Sequence, residues 1–251
     1  MKTSNKLLLL FFGFILFLIL VGIIYLRFFG MTNLEIIHGN NQVTTTTKDL
    51  SGFRKLDVSG DLEIILSQGE YAIAIHGESN LHEYIEIEIL DDDIIYVKTK
   101  RGFRLKPNAP LQIQISAPQW EKIGSSGNNN LSSKDTLRGE ELVMDINGAG
   151  NSMLLASYAQ YSIEMAGAPQ LTLMGTGQHL NLDLAGAPHF KGNHLITRSA
   201  KVEAAGAANI WVNVDSLLDV DLAGSSSITY SGNPPTIHSN LSGACTINKE
   251  N

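Results

Sequence analysis

From Leu142 to Ile247 apolar and polar residues alternate with a period of two, and a small-residue phrase interrupts the alternation at nearly constant intervals. The phrase reads INGAG at 146–150, MAGAP at 165–169, LAGAP at 184–188, AAGAA at 204–208, LAGSS at 222–226 and LSGAC at 241–245. Its first glycines are Gly148, Gly167, Gly186, Gly206, Gly224 and Gly243, so the step between neighbours stays between eighteen and twenty. Period two predicts strands, because side chains alternate across a strand. A strand, a glycine corner and a second strand repeating about every 19 residues predict a solenoid, whose single unit cannot bury its apolar face without neighbours.

Aligning the units on the glycine separates inside from outside. Four residues before it stand Met144, Ile163, Leu182, Val202, Val220 and Ser239; two before it stand Ile146, Met165, Leu184, Ala204, Leu222 and Leu241. These form the predicted core, continued four residues after the glycine by Leu171, Phe190, Ile210, Ile228 and Ile247, with Ser152 in the first unit. Three before the glycine, Asp145, Glu164, Asp183, Glu203, Asp221 and Asn240 must then face outward. The corner itself calls for glycine, since a sharp change of direction needs positive φ or leaves no room for a Cβ.

Upstream, short runs continue the strand pattern without the phrase: Leu56 and Val58; Leu62, Ile64 and Leu66; Tyr71, Ile73 and Ile75; Ile85, Ile87 and Ile89; Ile94 to Val97; Leu111, Ile113 and Ile115. Ser59-Gly60-Asp61, Gln68-Gly69-Glu70, Asp91-Asp92-Asp93 and the stretch from Pro107 to Pro110 punctuate them as turns. Three adjacent carboxylates at 91–93 also leave a cation site open. This half is expected to cap the first coil, and Gly127, about one coil before Gly148, marks a degenerate first copy of the phrase. The expected fold is therefore all-β: a single-stranded, right-handed parallel β-helix with an amino-terminal β cap region.

The stretch from Leu7 to Leu26 carries no charge and is flanked by Lys2 and Lys6 before it and Arg27 after it. At roughly 20 residues it is long enough to cross a hydrocarbon core of roughly 30 Å as a helix. Residues 1–30 are read as one transmembrane helix with a cytoplasmic amino terminus, a cleaved signal peptide being the rival. Residues 31–50 then form a polar stalk, and 51–249 a β-helical domain divided into amino-terminal strands (51–120) and glycine-phrase coils (121–249). The exported part is placed in the periplasm or outside the cell.

After position 30 there are 15 basic against 25 acidic residues, a net charge of −10. That argues against nucleic acid and against attraction to phosphates or anionic headgroups, and no basic stripe with interleaved aromatics is expected. The one cysteine, Cys245, reads as a small packing residue.

The run FRKLDVSGDLEIILSQGEYAIAIHG at 53–77, the glycine phrases and YSGNPP at 230–235 together resemble the bacterial DUF2807 family, the auto-transporter adhesin head (GIN) domains, over roughly residues 50–249. The resemblance implies an exported β-helical domain with a name that suggests adhesion, and it supplies no catalytic residues. The chain departs from the family's second glycine, which survives only at Gly150.

No G-x-S-x-G elbow, Walker loop, H-E-x-x-H or paired C-x-x-C occurs. His179, His189 and His194 fall at different positions of their coils, and Trp211 and Lys191 point outward. Asp145, Glu164, Asp183, Glu203 and Asp221, stacked about 4.8 Å apart, are the one feature with chemical content. They are either a solvated face screened by lysines such as Lys201 or a strip for a cation, Ca²⁺ above all, or for sugar. The expected function is a membrane-anchored binding or adhesion scaffold of the bacterial envelope without catalysis or a resident cofactor, meeting a surface glycan or an envelope protein. The alternatives are a polysaccharide-active enzyme using Asp183, Glu203 and Asp221 with Lys201, and an envelope sensor.

Overall fold

A computed structural model describes residues 34–90 and 93–250. The repeat region is a β-solenoid of about 19 residues per turn. Strands β13 (Asn151–Gly167), β14 (Gln170–Gly186), β15 (His189–Gly206) and β16 (Asn209–Gly224) run from one glycine corner to the next, β12 (Leu137–Gly148) leads into the first of these corners, and all pair in parallel with their neighbours. Strands β17 (Ser227–Ser231), β18 (Thr236–Gly243) and β19 (Thr246–Lys249) complete the stack.

The register is the one the glycine alignment predicts. Met165 lies beside Leu184 and Leu184 beside Ala204, while Ser152, Leu171, Phe190, Ile210, Ile228 and Ile247 form a second inner ladder. Met165, Leu184 and Ala204 are buried in one continuous core that reaches from Phe53 to Ile228. Each coil has a second bend, where the phase of the alternation slips: β13 buries 152, 154, 156 and 158, then 161, 163 and 165. Tyr158 and Tyr161 fill this bend, ring centroids 5.8 Å apart, and the Tyr161 hydroxyl donates to the carbonyl of Thr176 at 2.9 Å. Burial pushes the Tyr161 hydroxyl up to about 12. The longer step from Gly186 to Gly206 is absorbed on the second limb as a register shift beyond Thr172 in the β14–β15 pairing, and the shorter one from Gly206 to Gly224 as shifts beyond Gly192 and Thr197 in the β15–β16 pairing, so the glycine corners stay aligned.

The glycine column has a steric cause. Gly186 adopts φ +95°, and a Cβ there would lie 2.5 Å from the carbonyl oxygen of Gly167. That oxygen accepts the N–H of Ala187 at 2.7 Å, so every corner rests on the carbonyl of the corner beneath it. Two residues further on, the inward position tolerates Pro169, Pro188, Ala208, Ser226 and Cys245, and Cys245 packs against the core as expected.

At the amino end the chain order departs from the rung order. β3 (Lys55–Gly60) and β4 (Glu63–Gln68) are solenoid strands, with Gly60 beside Gly127 in the corner column. The chain then leaves the stack through β5 (Ala72–Glu78), a 3₁₀ segment (Ser79–Tyr84) and β6 (Ile85–Leu90). It returns as β7 (Ile94–Thr99), β8 (Phe103–Lys106) and β9 (Gln112–Ala117). β7 and β9 form a rung on the outer side of β3 and β4, and β10 (Lys122–Gly127) and β11 (Asn130–Ser133) form the next rung on the inner side. Only the antiparallel strands act as the expected cap, β6 on β7 and β5 on β9. Asp93 ends the β6–β7 hairpin turn at φ +60° and pairs with Arg54 at 3.0 Å. Asp91 and Asp92, the other two carboxylates of that run, lie outside the described residues.

The stalk expected over 31–50 is corrected. Within it β1 (Glu35–His38) pairs in parallel with β8, and β2 (Val43–Lys48) pairs antiparallel with β5 and covers the outermost edge. The threonines of VTTTTK suit a strand as well as they suit a linker. The apolar stretch Leu7–Leu26 lies outside the described residues; among the described residues no helix is long and apolar enough to cross a membrane.

A buried carboxylate ties this end together. Glu78 accepts the backbone N–H groups of Asn41 at 2.6 Å, Asn108 at 2.8 Å and Ala109 at 3.4 Å, joining two loops. Burial pushes its pKa up, but the donors of Asn108, Asn41 and Ala109 together outweigh it and hold the group below its usual 4.5. A depressed folded pKa contributes stability above the unfolded value, and that contribution is lost as pH falls through the folded one. Glu78→Gln is therefore expected to lower Tm at pH 7, with the gap to the parent protein shrinking below about pH 4.5. The exposed Glu83→Gln, read by the same melts, should leave Tm at pH 7 nearly unchanged.

Candidate functional site

The five predicted carboxylates stand in one column: Asp145 beside Glu164, Glu164 beside Asp183, Asp183 beside Glu203 and Glu203 beside Asp221. Asn240 closes it, its side-chain amide donating to Asp221 Oδ1 at 3.2 Å. The strands hold these side chains outward because Met144, Ile163, Leu182 and Val202, one residue earlier in each rung, are locked in the core. Beyond the column, one residue before the corners from Gly167 to Gly224, lie Ala166, Ala185, Ala205 and Ala223, which leave its outer flank low.

The charge is not unopposed. Lys122 Nζ lies 2.5 Å from Asp145 Oδ2 and Lys201 Nζ lies 2.5 Å from Glu203 Oε1. The Lys201 ammonium is held above its usual value, first by its hydrogen bond to Glu203 and that group's charge, then by Asp219 and Asp183. Lys201 borders two shallow grooves, one with Glu164, Asn181 and Asp183, the other with Asp219, Asp221 and His238. All of these pairs are partly open to solvent, where an ion pair is worth about 0–1 kcal/mol.

The column also extends further than the glycine phrases indicate. Gly124 pairs with Asp145 on one side and with Asp57 on the other, so Asp57 belongs to the same line with a glycine gap between. A Cβ at Gly124 would lie 3.4 Å from Asp57 Oδ1. Partial burial raises the Asp57 pKa; Lys122 opposes this and Asp145 adds to it. Counting three residues back from Gly60 would have found Asp57, but Ser59-Gly60-Asp61 read as a plain turn.

The remaining candidates stay apart. His179 hydrogen-bonds Ser199 Oγ at 2.8 Å, His189 lies between Gln170 and Asn209, and His194 falls in the β15 register shift. Among the described residues no three His, Cys, Asp or Glu side chains converge as a metal shell. A divalent cation on this face would thus be held by two carboxylates of adjacent rungs and completed by water. Trp211, between Lys191 and Thr229, faces outward but is only partly exposed.

The family model described as "Putative auto-transporter adhesin, head GIN domain" (DUF2807) matches residues 52–234. Three solved structures share the fold. A Bacteroides fragilis protein titled a putative adhesin has a TM-score of 0.78 at 20% identity, covering 85% of this chain and 100% of its own. A Parabacteroides distasonis protein titled a putative lipid binding protein has a TM-score of 0.70 at 20% identity, covering 86% and 100%. A Parabacteroides merdae protein titled a putative adhesin has a TM-score of 0.68 at 17% identity, again covering 86% and 100%. No curated protein gives a match.

Proposed function

Since the chain belongs to the DUF2807 family, we propose that it is a membrane-anchored adhesive scaffold of the bacterial envelope, non-catalytic, whose acidic limb is the binding face. The observation that carries this reading is the in-register column from Asp145 to Asp221, bordered by small residues and set on a packed core. A rigid ladder with one carboxylate per rung fits repetitive ligands, because a polymer can meet several rungs at once and gain from multivalency. Surface glycan is the ligand class proposed, with Ca²⁺ bridging carboxylates of adjacent rungs. The apolar stretch Leu7–Leu26, of membrane-spanning length, supplies the anchor.

Two measurements test the reading. On a glycan array run beside a reducing-sugar assay, retention without product release is expected; release would instead favour an enzyme using Asp183, Glu203 and Asp221. In the second, calcium at ten times its Kd stabilises by roughly 1.4 kcal/mol, about 3–6 °C in Tm for a domain of this size. Asp183→Asn combined with Glu203→Gln is expected to remove most of that rise. A wild-type melt that ignores millimolar calcium at low ionic strength would leave the column a solvated face only.

A further inference from the structure

Residues 98–106, KTKRGFRLK, hold five basic side chains and no acidic one, a third of all the basic residues after position 30. This basic run with an aromatic inside it corrects the expectation that no such stripe exists. Lys98 is engaged, 3.4 Å from Glu86 and 3.3 Å from Glu88. Lys100, Arg101, Arg104 and Lys106 have no carboxylate partner among the described residues, and Lys100 lies over the Tyr84 ring. Four cations without a carboxylate, gathered on one short segment of an acidic protein, require an explanation.

The fold sets them on a two-stranded ribbon. β1 and β8 pair Ile36 with Arg104, Ile37 with Leu105 and His38 with Lys106. Leu105 packs toward the core and Phe103 rests on Tyr84, with centroids 4.8 Å apart. Strand alternation therefore turns Ile36, His38, Arg104 and Lys106 to the opposite, outer face. Leu34 and Ile36 are 50% and 53% exposed, so this face combines bare aliphatic side chains with uncompensated cations. Aliphatic residues beside Lys and Arg are the composition of a surface that lies in the headgroup region of a bilayer.

We infer that the β1–β8 ribbon docks on the anionic phospholipid surface of the membrane that carries the chain. The inference rests partly on the anchor proposed above. Leu26 ends the apolar stretch eight residues before Leu34, and eight extended residues reach no more than about 29 Å. The ribbon is thus tethered within about 29 Å of the end of the apolar stretch. The net charge of −10 does not oppose contact, since charges more than about 8 Å away are screened at physiological salt and only the local patch is felt. Because β8 joins β7 to β9 in the outermost parallel rung, docking would stand the solenoid on that end and leave the acidic column free to meet a ligand.

The test uses the full chain in nanodiscs of phosphatidylcholine alone or doped with phosphatidylglycerol, read by amide hydrogen exchange at low and high ionic strength. Slowed exchange at 34–38 and 98–106 is expected only in the anionic discs, and high salt should reverse it. Replacing Arg101, Arg104 and Lys106 together by glutamine should lower the ratio of docked to undocked protein about 100-fold, each basic residue near such a surface being worth roughly a factor of five. All three are exposed, so the melt of the variant should match the parent. Equal exchange in both kinds of disc overturns the inference, as does equal slowing by inorganic phosphate without lipid. Loss of the chain from phosphatidylcholine discs speaks against the anchor alone; the ribbon is then judged by salt-sensitive flotation on anionic vesicles.

Discussion

Leu184→Asp is expected to unfold the solenoid at room temperature, while Asp183→Ser, one residue away, leaves Tm nearly unchanged. Leu184 is 0% exposed between Met165 and Ala204. Truncating a buried leucine costs about 2–5 kcal/mol, and an unpaired buried charge adds several more. The sum reaches the whole net stability of an ordinary domain, about 5–15 kcal/mol. In a stack held by nearest-neighbour contacts the damage spreads to the rungs on both sides, since each loses its packing partner. Asp183 is exposed, and serine leaves its backbone hydrogen bonds in place. Thermal melts by circular dichroism check the pair; equal losses for the two would mean that the assigned register of inner and outer positions is wrong.

Gly186→Val should come next in severity. At φ +95° a side chain is strained by itself, by about 1–3 kcal/mol for a non-glycine residue in such a conformation. Its Cβ would also sit 2.5 Å from the Gly167 carbonyl oxygen, a backbone atom that cannot move without giving up the N–H of Ala187. Overpacking of this kind adds about 1–3 kcal/mol. The effect also propagates upward, because the Gly186 carbonyl in turn accepts the N–H of Ala207 at 2.7 Å. A loss of about 2–6 kcal/mol in urea unfolding is expected, against less than about 0.5 kcal/mol for Ala185→Ser on the exposed flank. A mild Gly186→Val would mean that the corners carry little of the register.

The repeat region was legible in the sequence because its governing interactions are periodic. Each strand pairs with the strand one repeat away, so aligning the units on Gly148, Gly167, Gly186, Gly206, Gly224 and Gly243 aligns the rungs themselves. Alternation then separates Leu184 from Asp183, and the acidic column follows without further information. The same alignment explains why unequal spacings did no harm: the steric demand lies at the corner, and the second bend takes up the difference.

The amino-terminal end was decided only in three dimensions. There Lys55 of β3 stands between Ile94 of β7 and Lys122 of β10, partners much further along the chain than one repeat. No periodic signal spans those separations, so β3–β4 and β7–β9 read as strands of a cap instead of two successive rungs. Residues 34–48 are polar enough for a stalk, and only the open edge of β5 and the partner strand β8 make them strands. Glu78 carries no mark in the sequence either, because its partners are backbone amides of two loops brought together from distant parts of the chain. The sequence by itself thus determined the rung, its register and the face that bears the carboxylates, all set by local alternation and glycine sterics. Tertiary structure decided the order of the first rungs, the closure by Glu78 and the basic ribbon, because each depends on non-periodic contacts whose partners are distant in the chain.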